Sequence, residues 1–186
     1  MKNMNNQNTL QDSSLIAGIG LLIMAVLAGY ANFGVLKNGG SHQLAGSLFA
    51  VGAVLDVLVA YCLFRIFAKT KKSLAYAMTA ARIIYGLIFL VAAIILFNGN
   101  ISQFNTIWDK ALLLFALHLV LLSILVFKTQ FAPKWLAVLL LLSGIGYAVD
   151  NIGKYTVHNY SLELASYTFI GEVVLIFWLF WIGFRK

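Results

Sequence analysis

Residues 45–68 read AGSLFAVGAVLDVLVAYCLFRIFA, an apolar run with one acid, Asp56, near its middle and one base, Arg65, near its end. A helix that crosses a bilayer needs about 20 mostly apolar residues, whereas a membrane β-strand needs about 10 residues of alternating character. This run is long and does not alternate. It therefore predicts a membrane-spanning helix.

Similar apolar runs occur on both sides of this one and predict five further spans. The chain is 62% hydrophobic and only 10% charged, whereas a soluble domain has roughly 25% charged residues. The sequence therefore predicts an all-α polytopic integral membrane protein, with six transmembrane helices in a single bundle at residues 14–186 and a polar N-terminal tail at residues 1–13. The predicted spans are residues 14–36, 45–68, 74–97, 107–127, 135–150 and 164–184.

The formal net charge of +7 comes from bases that cluster in alternate connections rather than on one face. Cytoplasmic loops carry an excess of Lys and Arg, and near a membrane such residues interact with anionic headgroups. The pattern predicts that both termini lie in the cytoplasm and that nucleic acid is not a partner. The bases that decide this are Lys2, Arg65, Lys69, Lys71, Lys72, Lys128, Lys134, Arg185 and Lys186.

Five polar groups interrupt the apolar spans, namely Asp56, Arg82, His118, Asp150 and Glu172. A charge at the centre of a bilayer costs at least about 2.5–3.5 kcal/mol, so such residues usually face the interior of a bundle. With a rise of about 1.5 Å per residue, all but Asp150 come within about one helical turn of the midplane. Asp150 falls near the outer end of the fifth span.

Polar residues recur at helical spacing beside these groups. Tyr85 follows Arg82 by three positions, and Tyr147 precedes Asp150 by three, so each pair shares a helix face. We expect either a polar cleft that opens outward above Arg82 or interhelical hydrogen bonds without a cavity. The candidate binding residues are Asp56, Arg82, Tyr85, His118, Tyr147, Asp150 and Glu172.

The midplane groups do not balance in charge. Arg82 is the one cation, Asp56 and Glu172 are two carboxylates, and with a neutral His118 the sum is −1. An uncompensated charge in a low-dielectric medium tends to be neutralised. The cluster therefore has a physical reason to hold one proton.

Three functions are compatible with this cluster. The favoured one is binding or transport of a small solute, ion or proton. The second is an intramembrane enzyme, in which His118 and Glu172 or Asp150 act as acid and base. A metal ion bound by these three residues is a weak alternative. No metal-binding or catalytic motif supports the enzyme hypothesis. The third is a structural or regulatory protein whose polar residues lock the bundle. The sequence identifies no cofactor, and the expected partners are the lipid bilayer, a small ligand or ion, and a second copy of the chain.

Four segments carry a resemblance to a known family: AVLDVLVAYCLF at residues 53–64, ARIIYGLI at 81–88, the stretch from FALHLV to GYAVDN at 115–151, and GEVVLIFWLFWIG at 171–183. They resemble an uncharacterised bacterial multi-pass membrane family, domain of unknown function 4386. The similarity is densest from residue 115 to residue 183. It implies a six-helix protein of the bacterial plasma membrane and implies no substrate or reaction.

Overall fold

The computed structural model describes residues 2–185, with side chains from Thr9 onward. This part of the chain is helical, and six of its helical segments are long and apolar enough to cross a membrane. The helices are α1 (Lys2–Gly29), α2 (His42–Phe67), α3 (Lys72–Phe97), α4 (Ile101–Lys128), α5 (Lys134–Thr156), α6 (Ala165–Thr168) and α7 (Ile170–Phe184). The first span continues past α1 as a π-helix, Tyr30–Val35, and a 3-10 turn, Leu36–Asn38.

All six predicted spans coincide with helices, but several boundaries differ. Residues 2–13, predicted as a polar tail, are the first turns of α1. The fourth helix begins at Ile101 rather than at residue 107, and the fifth continues to Thr156 rather than ending at residue 150. The sixth span is interrupted at Phe169, between α6 and α7.

Capping side chains explain two of these helix starts. The Ser41 side chain accepts a hydrogen bond of 3.3 Å from the backbone N–H of Leu44 at the start of α2. The Asn100 side chain accepts one of 3.0 Å from the N–H of Gln103 at the start of α4. Such caps satisfy backbone donors that the first turn of a helix leaves free. Gly99, at φ +88°, makes the tight turn between α3 and α4.

Neighbouring helices along the chain contact each other, and the last long helix returns to the first. The contacts run from α1 through α2, α3, α4 and α5 to α7, and α7 packs against α1. At one end of this ring the Gln11 side chain donates a hydrogen bond to the backbone carbonyl of Arg185. The N- and C-terminal segments therefore lie at the same end, which we call the termini end.

Candidate functional site

Arg82 on α3 and Asp56 on α2 form a buried ion pair. The Nη2 atom of Arg82 lies 2.7 Å from Oδ1 of Asp56, and the two residues are 2% and 0% exposed. The helix spacing allows this because Gly86, one turn from Arg82, has no side chain where α3 meets Asp56 and the carbonyl of Ala53. Burial of a charge is tolerated when it is paired in this way.

His118 on α4 is held as a neutral imidazole by its two neighbours. Its Nδ1 atom lies 3.1 Å from the carbonyl oxygen of Met78, and its Nε2 atom lies 3.1 Å from Nη1 of Arg82. A carbonyl only accepts and a guanidinium only donates, so Nδ1 carries the hydrogen and Nε2 accepts. Both ring nitrogens are therefore engaged.

Phe115 completes the surroundings of Arg82, and the sequence analysis missed it. The Arg82 guanidinium lies 5.6 Å from the centre of the Phe115 ring, a cation–π contact. The same ring stacks on His118 and meets Tyr147 edge-on. Phe115 and His118 are three residues apart, which places both on one face of α4. This spacing is the feature of the sequence from which Phe115 could have been predicted as a site residue.

Glu172 lies in the first turn of α7 and is partly buried. Its carboxyl group lies close enough to the Tyr147 hydroxyl of α5, to Arg82 and to Asp56 to interact electrostatically with all three. Its Oε1 atom is buried and has no hydrogen-bond partner among the described residues, and the same holds for Oγ1 of Thr168, one turn earlier. The Oδ2 atom of Asp56 is also buried without a hydrogen-bond partner among the described residues, but Asp56 is paired with Arg82, whereas no described cation forms an ion pair with Glu172.

Tyr85 belongs to an aromatic column that fills the side of the bundle away from the termini end. Its ring packs on Phe115 with 4.9 Å between ring centres and on Phe89 with 5.7 Å. Further along the column, Phe89 contacts Trp108. These packed rings lie on α3 and α4, on the side of Arg82 that is away from the termini end.

Asp150 does not join the other candidate residues. Its Oδ1 atom accepts hydrogen bonds from the Tyr160 hydroxyl at 2.7 Å and from the N–H of Leu164 at 3.0 Å, and its Oδ2 atom accepts one from Ala165 at 2.7 Å. Asp150 therefore anchors the start of α6 against the end of α5. The hydrogen bond to Asp150, with desolvation, raises the pKa of Tyr160 to about 12, so its hydroxyl still donates at neutral pH.

The weak metal alternative does not fit this arrangement. Of its three residues, Asp150 is committed to the start of α6, and His118 has no free ring nitrogen. Among the described residues, no three His, Cys, Asp or Glu side chains lie together as a group that could hold a metal ion. Without a metal, the site consists of two groups of residues. One is the Asp56–Arg82–His118 triad, and the other is the pair of Glu172 and Tyr147 beside it.

The chain has relatives that carry no assigned activity. The family described as Domain of unknown function (DUF4386) matches residues 99–183, which include His118, Tyr147 and Glu172. An uncharacterized protein of the archaeon Archaeoglobus fulgidus is 35% identical over 126 residues, covering 68% of this chain and 75% of the relative. No solved structure matches. The archaeal source of this relative means that the similarity does not restrict these proteins to bacteria.

Proposed function

This chain belongs to the DUF4386 family of uncharacterised proteins and is a multi-pass membrane protein, and we propose that it binds a proton at Glu172 and carries it across the bilayer, alone or with a small solute. The observation that carries this proposal is the carboxyl group of Glu172. Its Oε1 atom is buried without a hydrogen-bond partner among the described residues, and the neighbouring cation, Arg82, is already paired with Asp56.

The charges of the interior support this assignment. Arg82 is balanced by Asp56, and His118 is neutral in its hydrogen-bond arrangement. An ionised Glu172 would then be an uncompensated charge, and burying such a charge in a low-dielectric interior is costly. A proton on Glu172 removes this cost, and its loss and return would be the elementary step of transport.

An alternative occupant at Arg82, such as an anionic solute, fits less well. Two of the three guanidinium nitrogens already face Asp56 and His118, and the Phe115 ring covers one face of the group. A ligand would have to displace the ion pair. We therefore assign the triad a structural role, as a lock between α2, α3 and α4, and keep the exchangeable group on Glu172.

An enzyme reading is also less favoured by the geometry. A general base needs a nitrogen or oxygen within about 3 Å of the proton it takes, and both nitrogens of His118 are already engaged. Glu172 with Tyr147 remains a pair of one acid and one phenol, which suits proton exchange better than a two-group acid–base mechanism.

The proposal is tested by proton flux in proteoliposomes. With an imposed membrane potential and a pH-sensitive dye inside, the wild-type protein should admit protons faster than protein-free vesicles do. Glu172→Gln keeps the size and hydrogen-bonding capacity of the side chain but cannot lose a proton, so its rate should fall to that of protein-free vesicles.

Glu163→Gln is the matched control, because Glu163 is an exposed residue of the connection before α6. It makes the same chemical change outside the cluster and should keep the wild-type rate. Equal rates for wild type and Glu172→Gln, with both proteins folded and equally incorporated, would overturn the proposal.

A further inference from the structure

A groove lies at the termini end, between α7 and the connection that joins α4 to α5. It has a volume of about 570 Å³ and is lined by Phe131, Trp135, Val174, Phe177, Trp178 and Trp181. Trp178 is buried at its floor, where it stacks on Phe131 and Phe67. Trp135, Phe177 and Trp181 are more than half exposed at its walls.

The close contact of α5 and α7 lies deeper than the groove. A Cβ atom at Gly171 would collide with the carbonyl oxygen of Leu139, so the two helices are in backbone contact there. On α7 the groove begins at Val174, on the side of Gly171 that is nearer the termini end.

The groove is shorter than one leaflet of a bilayer. Along α7 it extends from Val174 to Trp181, which at about 1.5 Å per residue is about 10 Å. The hydrocarbon core is about 30 Å thick, so one leaflet contributes about 15 Å. The groove can therefore hold the part of an acyl chain that is nearest to its headgroup.

One cation lies beside this apolar groove. The Arg185 guanidinium is 5.1 Å from the centre of the Trp181 ring, and Trp181 lines the groove. An apolar groove with a cation at the end nearest the termini is complementary to a lipid with a negatively charged headgroup.

We propose that this groove is a binding site for a phospholipid with an anionic headgroup. One acyl chain lies along Trp178 and Phe177, and the phosphate lies beside Arg185. The site is separate from Glu172, and the proposal is independent of proton transport.

The first test maps the lipid on the wild-type protein. Phosphatidylglycerol with a photoactivatable group in one acyl chain is reconstituted with the protein at low mole fraction, and the adducts are located by peptide mass spectrometry. We expect adducts concentrated in residues 131–135 and 174–181. Adducts spread evenly over the six spans, or protein–protein cross-links through these residues, would overturn the proposal.

The second test measures headgroup preference by native mass spectrometry, with phosphatidylglycerol and phosphatidylcholine of identical chains in competition. Arg185→Gln should lower the preference for phosphatidylglycerol about fivefold, the equivalent of the approximately 1 kcal/mol that one base contributes near an anionic surface. Arg65→Gln is the matched control, because Arg65 also lies over an aromatic ring, that of Tyr61, but on α2. An equal fall in both variants would show a general charge effect and would overturn the assignment.

Discussion

Arg82 shows how one side chain can be both costly and necessary. Its guanidinium is almost fully buried; Asp56 pairs with Nη2, His118 accepts from Nη1 and Phe115 covers one face, while Nε has no hydrogen-bond partner among the described residues. Removing one partner of a buried ion pair leaves the other charge without compensation, which costs about 3–5 kcal/mol, whereas removing both partners together is often nearly neutral. This difference in unfolding free energy between the single and the double substitution identifies an ion pair whose role is structural.

We therefore predict that Arg82→Met lowers the free energy of unfolding by about 3–5 kcal/mol and that Asp56→Leu in the same chain restores much of it. Unfolding of the detergent-solubilised protein by increasing denaturant measures both. Lys72→Met, an exposed base on the same helix, should change the value by less than about 0.5 kcal/mol. A double variant no more stable than Arg82→Met would refute the lock.

The sequence predicted the depth of these groups but not their rotation about the helix axes. Transfer cost and helix rise suffice to place Asp56, Arg82 and His118 near one plane. Which face each helix turns inward depends on packing, and a hydropathy pattern does not record it when the spans are apolar all round. Asp150 is an example. Its charge within a span suggested a site residue, but its three hydrogen bonds are made to the segment that leads into α6 and to the start of α6.

Among the helices, close approach is decided by single glycines. At Gly171 an added Cβ would meet the backbone of α5, whereas at Gly52 on α2 it would meet nothing within 4 Å. Backbone cannot move aside as a flexible side chain can, so α5 and α7 would have to separate. The closest contact of these helices therefore depends on the missing side chain.

Gly171→Ala should destabilise the protein by about 1–3 kcal/mol through overpacking. Gly52→Ala is the comparison, because Gly52 lies in the interior of α2, where Ala gains helix propensity and its Cβ atom meets nothing within 4 Å, so stability should be unchanged or raised. Thermal unfolding in detergent compares the two. Equal stability of both variants would contradict the close contact between α5 and α7.

Helix boundaries were the least predictable feature of the elements. Hydropathy placed the start of the fourth span at residue 107 because Ser102, Gln103, Asn105 and Thr106 are polar, but the Asn100 cap starts the helix at Ile101. Hydropathy reports where the bilayer lies, whereas capping and internal hydrogen bonds report where the helix begins. The two coincide only where a helix ends at the membrane surface.

The arrangement of the molecule as a ring depends on the return of α7 to α1. Leu15 packs against Gly183, and a Cβ atom at Gly18 would lie 3.4 Å from Cβ of Leu179. This distance is close to the range of about 3.5–4.5 Å found between the Cβ atoms of a disulfide. The contact also places both termini at one end, while their cytoplasmic location remains a prediction from the basic residues.

In a Cys62→Ala background, Gly18→Cys with Leu179→Cys should therefore form a disulfide on mild oxidation. Loss of free thiols, reversed by a reductant, measures it. Gly52→Cys with Leu179→Cys is the control pair and should stay reduced, because no side chain lies near a Cβ atom at Gly52. Free thiols in the first pair after oxidation would mean that α1 and α7 do not meet as described.

The proton on Glu172 is tested most directly by pH-difference infrared spectroscopy of the reconstituted protein, since a carboxylic acid and a carboxylate absorb differently. Above the range of about pH 3–5 in which exposed carboxyl groups titrate, the wild type should show the gain and loss of one protonated carboxyl group. Glu172→Gln should lack this signal, and Glu163→Gln should retain it. A signal that persists in folded Glu172→Gln would contradict the assignment of the exchangeable proton to Glu172.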